Sequence, residues 1–212
     1  REKEVVGIYI SGHPLDDFKI EMNTFCNATI SLFKDLDNYI NRELTFGGVV
    51  TDVQHRISKQ GKGWALFTIE DYVDTHEFRI FGEEYLKFRH FLLKSSFIYV
   101  RTFIKEGWTN RDTGKKSEPR VQFNNFQLLH DVMDSYAKKL SIQFDIHDIK
   151  EKRIKEIQEL LKLHVGKHKL NFVIYDNEEQ IKLQMPSRKQ KVRISQELLD
   201  ELKNHEVFYK LN

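Results

Sequence analysis

Between Leu44 and His130 the chain alternates apolar and polar side chains in short runs, and this period of two constrains everything around it. A run with that period is a strand with one buried face. Val49, Val50 and Val53 mark the first run, and Trp64-Ala65-Leu66-Phe67-Thr68-Ile69 is its return. Glu77 to Phe81, Phe97 to Ile104 and Val121 to Leu129 follow as third, fourth and fifth. Between the third and fourth, residues 83 to 93 carry Tyr85, Leu86, Phe88, Phe91, Leu92 and Leu93 mostly at helical spacing. Gly47-Gly48 inside the first run predicts a bulge or a sharp bend where a barrel curls.

Five strands with a helix between the third and fourth is the order of an OB-fold, in which the loops joining strands one to two and four to five flank the binding face. The expected fold is therefore mainly β with α+β. A five-stranded OB-fold barrel over 44–130 is preceded by a helical segment and linker over 1–43 and followed by a small α+β domain over 131–212. Both flanking loops are basic. The first holds Arg56, Lys59 and Lys62 with Trp64 at its exit; the second holds Lys105, Arg111, Lys115, Lys116 and Arg120 with Trp108 inside it. Cations track the phosphates of a single strand while aromatic rings stack on its bases, so these residues are the candidate nucleic-acid-binding set. Against this, glycine and lysine are common in any hairpin loop, Glu106, Asp112 and Glu118 dilute the second loop, and a Trp opening a strand is often core.

The flanks read as support. Ser11-Gly12-His13-Pro14 is a turn, His13 a turn residue rather than a ligand, and Leu15, Phe18, Ile20 and Met22 fit a short helix. Residues 23 to 43 look like a connector. Within it Thr29-Ile30-Ser31-Leu32-Phe33 superficially resembles a sliding-clamp-binding peptide without its leading Gln, and Leu32 and Phe33 are more simply anchors. Residues 131 to 139 are a helix-compatible hinge, and Leu140 to Phe144 a strand. Ile154, Ile157, Leu160, Leu161 and Val165 mark a helix opening near Asp148 as its N-cap. Strands at 169–175 and 180–185, and a further one at Val192 and Ile194, precede a helix from Gln196 to Asn204 capped by Ser195, with Val207 to Tyr209 as an edge strand. His164 and His168 have a metal-compatible spacing but no third ligand. Arg188-Lys189-Gln190-Lys191-Val192-Arg193 is a basic stretch that either meets nucleic acid or protects a sheet edge.

A net charge of +2 means that attraction to an acidic polymer must come from local clustering. No apolar run approaches the roughly 20 residues of a membrane span. The single cysteine, Cys26, excludes an internal disulfide and points to the reducing cytosol. The start at REKEVVG, without Met or signal peptide, gives the expectation of a fragment of a longer polypeptide. Glu70, Asp71 and Asp74 cluster at a turn, where acids are expected, and Gly61-Lys62-Gly63 lacks the context of a P-loop. The chain therefore reads as non-catalytic, without metal or cofactor.

Lys3-Glu4-Val5-Val6-Gly7-Ile8-Tyr9-Ile10-Ser11-Gly12-His13-Pro14-Leu15 closely resembles the segment that precedes the OB domain in the alpha subunit of bacterial DNA polymerase III. Ser58 to Ala65, Thr68-Ile69-Glu70-Asp71 and Glu77 to Tyr85 are similar to later stretches of the same family, with Phe81 at the position of a family Phe. The resemblance runs from about residue 2 to 130; beyond that only the order of elements matches. It implies a C-terminal fragment of the replicative polymerase, with the polymerase carboxylates upstream. The OB domain would contact single-stranded template DNA, and the tail domain would bind the tau subunit of the clamp loader; a sliding clamp would engage upstream. The rival reading is a protein-interaction scaffold whose barrel packs against its parent chain. A stand-alone nuclease or a synthetase anticodon-binding domain is a third.

Overall fold

The computed structural model describes residues 12–109 and 116–212, which fall into two compact units, 1–132 and 133–212. The chain is mostly β, with one antiparallel sheet in the first unit, one mixed sheet in the second and a few helices.

In the first unit a short 3-10 turn, Asp16–Phe18, leads into α1 (Lys19–Phe25), and further 3-10 turns at Ile30–Lys34 and Asp37–Tyr39 lead into the sheet. The strands are β1 (Glu43–Ile57), β2 (Gly63–Glu70), β3 (Thr75–Phe81), β4 (Phe97–Lys105) and β5 (Arg120–Leu128), with α2 (Gly82–Phe88) between β3 and β4. Their order is β3-β2-β1-β4-β5, all antiparallel. This is the expected order of elements, yet among the described residues no ladder joins β3 to β5, so hydrogen bonds leave the sheet open. Side chains nevertheless bring the two edges together: the rings of Phe78 on β3 and Phe123 on β5 lie 5.9 Å apart, and Phe67 on β2 is 5.8 Å from Phe123.

The inner face is the alternate set that the sequence pattern implies, with Phe46, Ala65, Phe67, Ile69, Phe78, Ile80 and Val100 all buried. The connector at 30–39 contributes to it, because Ile30 and Phe33 are buried in the same core and Phe33 packs 4.7 Å from Phe46. That placement takes the Phe33 ring away from any peptide-like docking role. The bulge lies beside the glycine pair rather than on it. Register shifts between Val50 and Asp52, while a Cβ at Gly48 would run into the Ile69 side chain and stand 2.6 Å from the Glu70 carbonyl. Gly48 is thus required by close approach of β2, not by the bend.

The acidic turn is structural. Buried Asp71 accepts N–H bonds from Ile30 at 2.7 Å and from Val73 and Asp74 at 2.8 Å, so it both closes the β2–β3 turn and ties down the connector. Asp74 pairs with Lys34, which holds its carboxyl below the usual range.

In the second unit, α3 (Leu129–Tyr136) runs in from the first and is followed by β6 (Lys139–Asp145), α4 (Glu151–Leu163), β7 (Val165–Asp176), β8 (Ile181–Val192), α5 (Gln196–Asn204) and β9 (Phe208–Leu211). The order is β8-β7-β6-β9; β6 and β7 are parallel, as the intervening α4 crossover requires, and the outer pairs are antiparallel. Ser195 caps α5 as expected, its Oγ accepting from the Leu198 N–H at 3.3 Å. Two expectations are corrected. Asp148 does not cap α4, which opens at Lys150 without a side-chain cap; Asp148 instead ends a 3-10 turn that Asp145 caps. The strand at 180–185 and the one expected at Val192 are a single strand, β8, which pairs with β7 from Ile181 to Pro186 and again at Lys191 and Val192, with the register shifting across the basic stretch between them.

Both tryptophans, Trp64 and Trp108, lie in the first unit, so their fluorescence reports its unfolding alone. Phe67→Ala, which empties the meeting point of β2, β3 and β5, is expected to lower unfolding free energy by about 3–5 kcal/mol in urea titrations followed by that signal.

Candidate nucleic-acid interface

Because Ala65, Phe67 and Ile69 face inward, the opposite parity of β2 presents Trp64, Leu66 and Thr68 to the outer surface. Register then builds rows across three strands. Arg56, Trp64 and Phe81 are cross-strand partners, as are Gln54, Leu66 and Arg79. In the first row Trp64 stacks on Phe81 with ring centroids 5.3 Å apart and planes 19° off parallel, and the Arg56 guanidinium lies 5.5 Å from the Trp64 ring centre. Phe81 keeps 54% of its surface exposed. Arg56 Nη2 donates to Gln54 Oε1 at 2.6 Å, which fixes the guanidinium over the same face.

The hairpin beyond this row is tight. Ser58 N–H donates to the Lys62 carbonyl and Gly61 N–H to the Ser58 carbonyl, both at 2.9 Å, with Gly61 at a positive φ of 75°. Lys59 and Lys62 are exposed on its tip. From Val53 to Ile69 there is no acid, so the hairpin end of this face is cationic and aromatic together. The far row is different, since Asp52, Thr68 and Glu77 are partners there.

The second loop is built otherwise. Trp108, 63% exposed, begins an arm in which its N–H donates to Ser117 Oγ and its carbonyl accepts the Ser117 N–H, both at 2.8 Å. Lys116 is ion-paired to Glu106 at 2.6 Å, so this cation is partly neutralised. Lys105 and Arg120 are opposite one another at the base of the arm. Both attract Glu84 on α2, whose carboxyl is nonetheless held above its usual range by burial. The other side of α2 carries Tyr85, whose hydroxyl lies 3.2 Å from His55 Nδ1 on β1. Helix α2 therefore touches the base of both loops. Arg111 and Lys115 lie outside the described residues, as do Lys3 to Ser11 of the motif that precedes His13.

The structure thus gathers Arg56, Trp64, Lys59 and Lys62 at one hairpin, places Lys105 and Arg120 at the base of the second arm, and leaves Trp108 and Lys116 on that arm. It adds Phe81 and Arg79, which the reading by loops passed over. Their signal was present in the sequence: strand alternation puts residues 79 and 81 on the face opposite buried Phe78 and Ile80.

Other chemistry-bearing residues have local duties. His13 Nδ1 accepts from the Leu15 N–H at 3.2 Å inside its turn. His164 Nε2 lies 3.3 Å from Glu201, and His168 is buried with Nδ1 at 3.1 Å from the Val192 carbonyl, so the two do not share a site. Among the described residues no group of three metal-ligating side chains converges, and no helix is long and apolar enough to cross a membrane.

Residues 140–212 match the family model described as the DNA polymerase III alpha subunit, C-terminal domain. The DNA polymerase III subunit alpha of Borreliella burgdorferi is 32% identical over 100 residues, covering 47% of this chain and 8% of that protein. What the chain matches is a C-terminal part of the DNA polymerase III alpha subunit. The subunit alpha of Helicobacter pylori is 23% identical over 204 residues, covering 86% of this chain and 17% of its own length. The chain therefore spans less than a fifth of either alpha subunit. Among solved structures, an aspartyl-tRNA synthetase from Entamoeba histolytica aligns over 93% of the chain and 34% of its own, at 9% identity and a TM-score of 0.34, too slight a likeness to bear on fold or function.

Cys26 stands near this unit's acidic turn, and burial, with the Asp71 charge behind it, pushes its thiol up to about 12. At pH 8 only on the order of one thiol in 10⁴ is ionised, so iodoacetamide should leave Cys26 unmodified in the folded chain and alkylate it once urea unfolds the unit. Rapid alkylation of the native protein would contradict that placement.

Proposed function

We propose that the first unit is an OB-type barrel, left partly open between β3 and β5, that binds single-stranded template DNA on the outer face of β1, β2 and β3. The reading is supported above all by the stack of half-buried Trp64 on exposed Phe81 with Arg56 against it, at the foot of an acid-free lysine hairpin. In an OB barrel the face of the second and third strands, with the two flanking loops, is where oligonucleotides lie. The position of the stack on the outer side of β2 and β3 supports that reading. Bases stack on Trp64 and Phe81 while Arg56, Lys59 and Lys62 neutralise phosphates; Trp108, Lys105, Arg120 and Lys116 extend the path along the second arm.

The preference for DNA over RNA rests on the similarity to DNA polymerase III alpha subunits, as does the choice of partner for the second unit. We propose the clamp-loader tau subunit there, supported by the match of residues 140–212 to the C-terminal domain of that polymerase family. In this reading the chain contributes no catalytic residue and no cofactor, serving to hold template and clamp loader for a polymerase whose reacting groups lie elsewhere.

Fluorescence anisotropy with a labelled oligonucleotide tests the DNA interface. Trp64→Ala and Phe81→Ala should each weaken binding by about 5- to 150-fold, the roughly 1–3 kcal/mol of a lost base stack. Lys59→Ala with Lys62→Ala should weaken every sequence alike and reduce the slope of log K against log salt by about 0.7 per lysine. Absence of binding by the unaltered chain at low salt would refute the proposal.

A further inference from the structure

The row of Arg56, Trp64 and Phe81 has a middle and an end. Strand β2 lies between β1 and β3, so Arg56 and Phe81 meet Trp64 from opposite sides. The guanidinium stands 5.5 Å from the indole centre on one side, and the Phe81 ring stacks at 5.3 Å on the other. Both faces of the indole are therefore covered, which agrees with Trp64 being half-buried on an outer surface. Phe81 differs. Strand β3 is the edge of its sheet, Trp64 is the only ring stacked on Phe81 among the described residues, and 54% of Phe81 stays exposed. Its second face is the free end of the stack.

Rows further along the sheet offer no other platform. Gln54, Leu66 and Arg79 form the next row and Asp52, Thr68 and Glu77 the one after, neither with an aromatic ring. Two residues of strand set successive rows about 6.8 Å apart, so Arg79 stands one row from Phe81 along β3. Arg79 is exposed and has no hydrogen-bond or ion-pair partner among the described residues. Acids flank this pair on both sides. Glu77 lies one row beyond Arg79, and Glu83 and Glu84 follow Phe81 in the first turn of α2. Glu83 is exposed, whereas Glu84 is opposed by Lys105 and Arg120. Asp52, in the row of Glu77, accepts from Gln54 at 3.4 Å, and Gln54 in turn holds Arg56. The charges along β3 thus attract one phosphate, at Arg79, and repel a second.

We propose that the stack ends in a single-nucleotide subsite, where one unpaired base, a purine in preference to a pyrimidine, stacks on the free face of Phe81 and its phosphate pairs with Arg79. Trp64 is there a positioning residue, the backing that holds the Phe81 ring in place and is itself held by Arg56. This rests on the reading that the outer face of β1, β2 and β3 binds single-stranded DNA, and it narrows that contact to one base at one ring. The preference follows from ring area, since stacking strength rather than hydrogen bonding to base edges selects among bases on such a platform.

The test uses the whole 212-residue chain at low salt and strands of one length: fully abasic, abasic but for one central adenine, and abasic but for one central thymine. The adenine strand should bind more tightly than the abasic strand by about fivefold or more, the thymine strand by a smaller factor. Phe81→Leu should lose most of the adenine gain, whereas Phe81→Trp, a larger ring at the same place, should raise it. Trp64→Leu should also lose most of it, and Trp64→Phe, which keeps a ring between Arg56 and Phe81, should recover it. Arg79→Gln should weaken all three strands by one factor and reduce the slope of log K against log salt by about 0.7. A central iodouracil should photocross-link to Phe81. Cross-linking to Trp64 instead, a full adenine gain in Phe81→Leu or Trp64→Leu, or equal binding of the adenine and thymine strands overturns the proposal. Failure of every strand to bind the unaltered chain removes the DNA interface itself; equal binding of the abasic and adenine strands removes the base subsite and leaves the phosphate contacts standing.

Discussion

A sheet whose edge strands share no hydrogen-bonded ladder must be held in its curl by side chains, and in the first unit that constraint falls on phenylalanine. Phe33 and Phe46, with Phe67, Phe78, Phe123 and Phe126, form one connected set in which rings from the connector, β1, β2, β3 and β5 touch at centroid distances of 4.7 to 6.0 Å. Most of these contacts are edge-to-face or tilted, the arrangement that ring quadrupoles favour, each contributing about 0.5–1.5 kcal/mol beyond the area it buries. Hydrogen bonds align neighbouring strands, and this cluster reaches across from β3 to β5, with α2 beside it through Phe88 on Phe126. The connector belongs to it through Phe33, which Asp71 secures from the polar side by binding the Ile30 N–H.

Once the inner face is committed to that cluster, the outer face is free to be chemical. Alternation gives each strand one residue in and one out, so the price of burying Phe78 and Ile80 is the exposure of Arg79 and Phe81. The exposed side is not uniform. Arg56, Trp64 and Phe81 share a row at the hairpin end, whereas Asp52 and Glu77 flank Thr68 in a row nearer the acidic turn. A polyanion crossing this sheet is therefore attracted at one end and repelled at the other, which confines the proposed strand path to the hairpin and the bases of the two arms against α2.

Much of this was legible from the sequence because it depends on parity and order. The strands and the helix between the third and fourth follow from periods of two and 3.6, and the Ser195 cap from a residue type that satisfies a helix N-terminus. What escaped depends on long-range contact. Phe33 was readable as an anchor of the connector, and it is buried, but nothing local named the surface it meets, since its partners Phe46 and Phe78 are distant in sequence. Asp148 has the right side chain for a cap, but Asp145 nucleates an earlier turn and the helix begins later. In the β4–β5 arm the count of cations was readable, whereas the pairing of Lys116 with Glu106, which subtracts one of them, needed the fold. At β8 the run from Arg188 was readable as a sheet edge, but not that one strand would carry both pairing segments across a register shift between Pro186 and Lys191.

The uncovered part of the second sheet has a simple geometric origin. A helix with its side chains is about 10–12 Å across, while strands lie about 4.8 Å apart, so one helix covers little more than two of them. Helix α4, as the crossover between β6 and β7, is bound to sit over that pair, and β8 on the far side of β7 falls beyond its reach. Ile181, Leu183 and Met185 keep the alternation of a strand meant to be half covered, yet no element of this unit is placed to finish the cover.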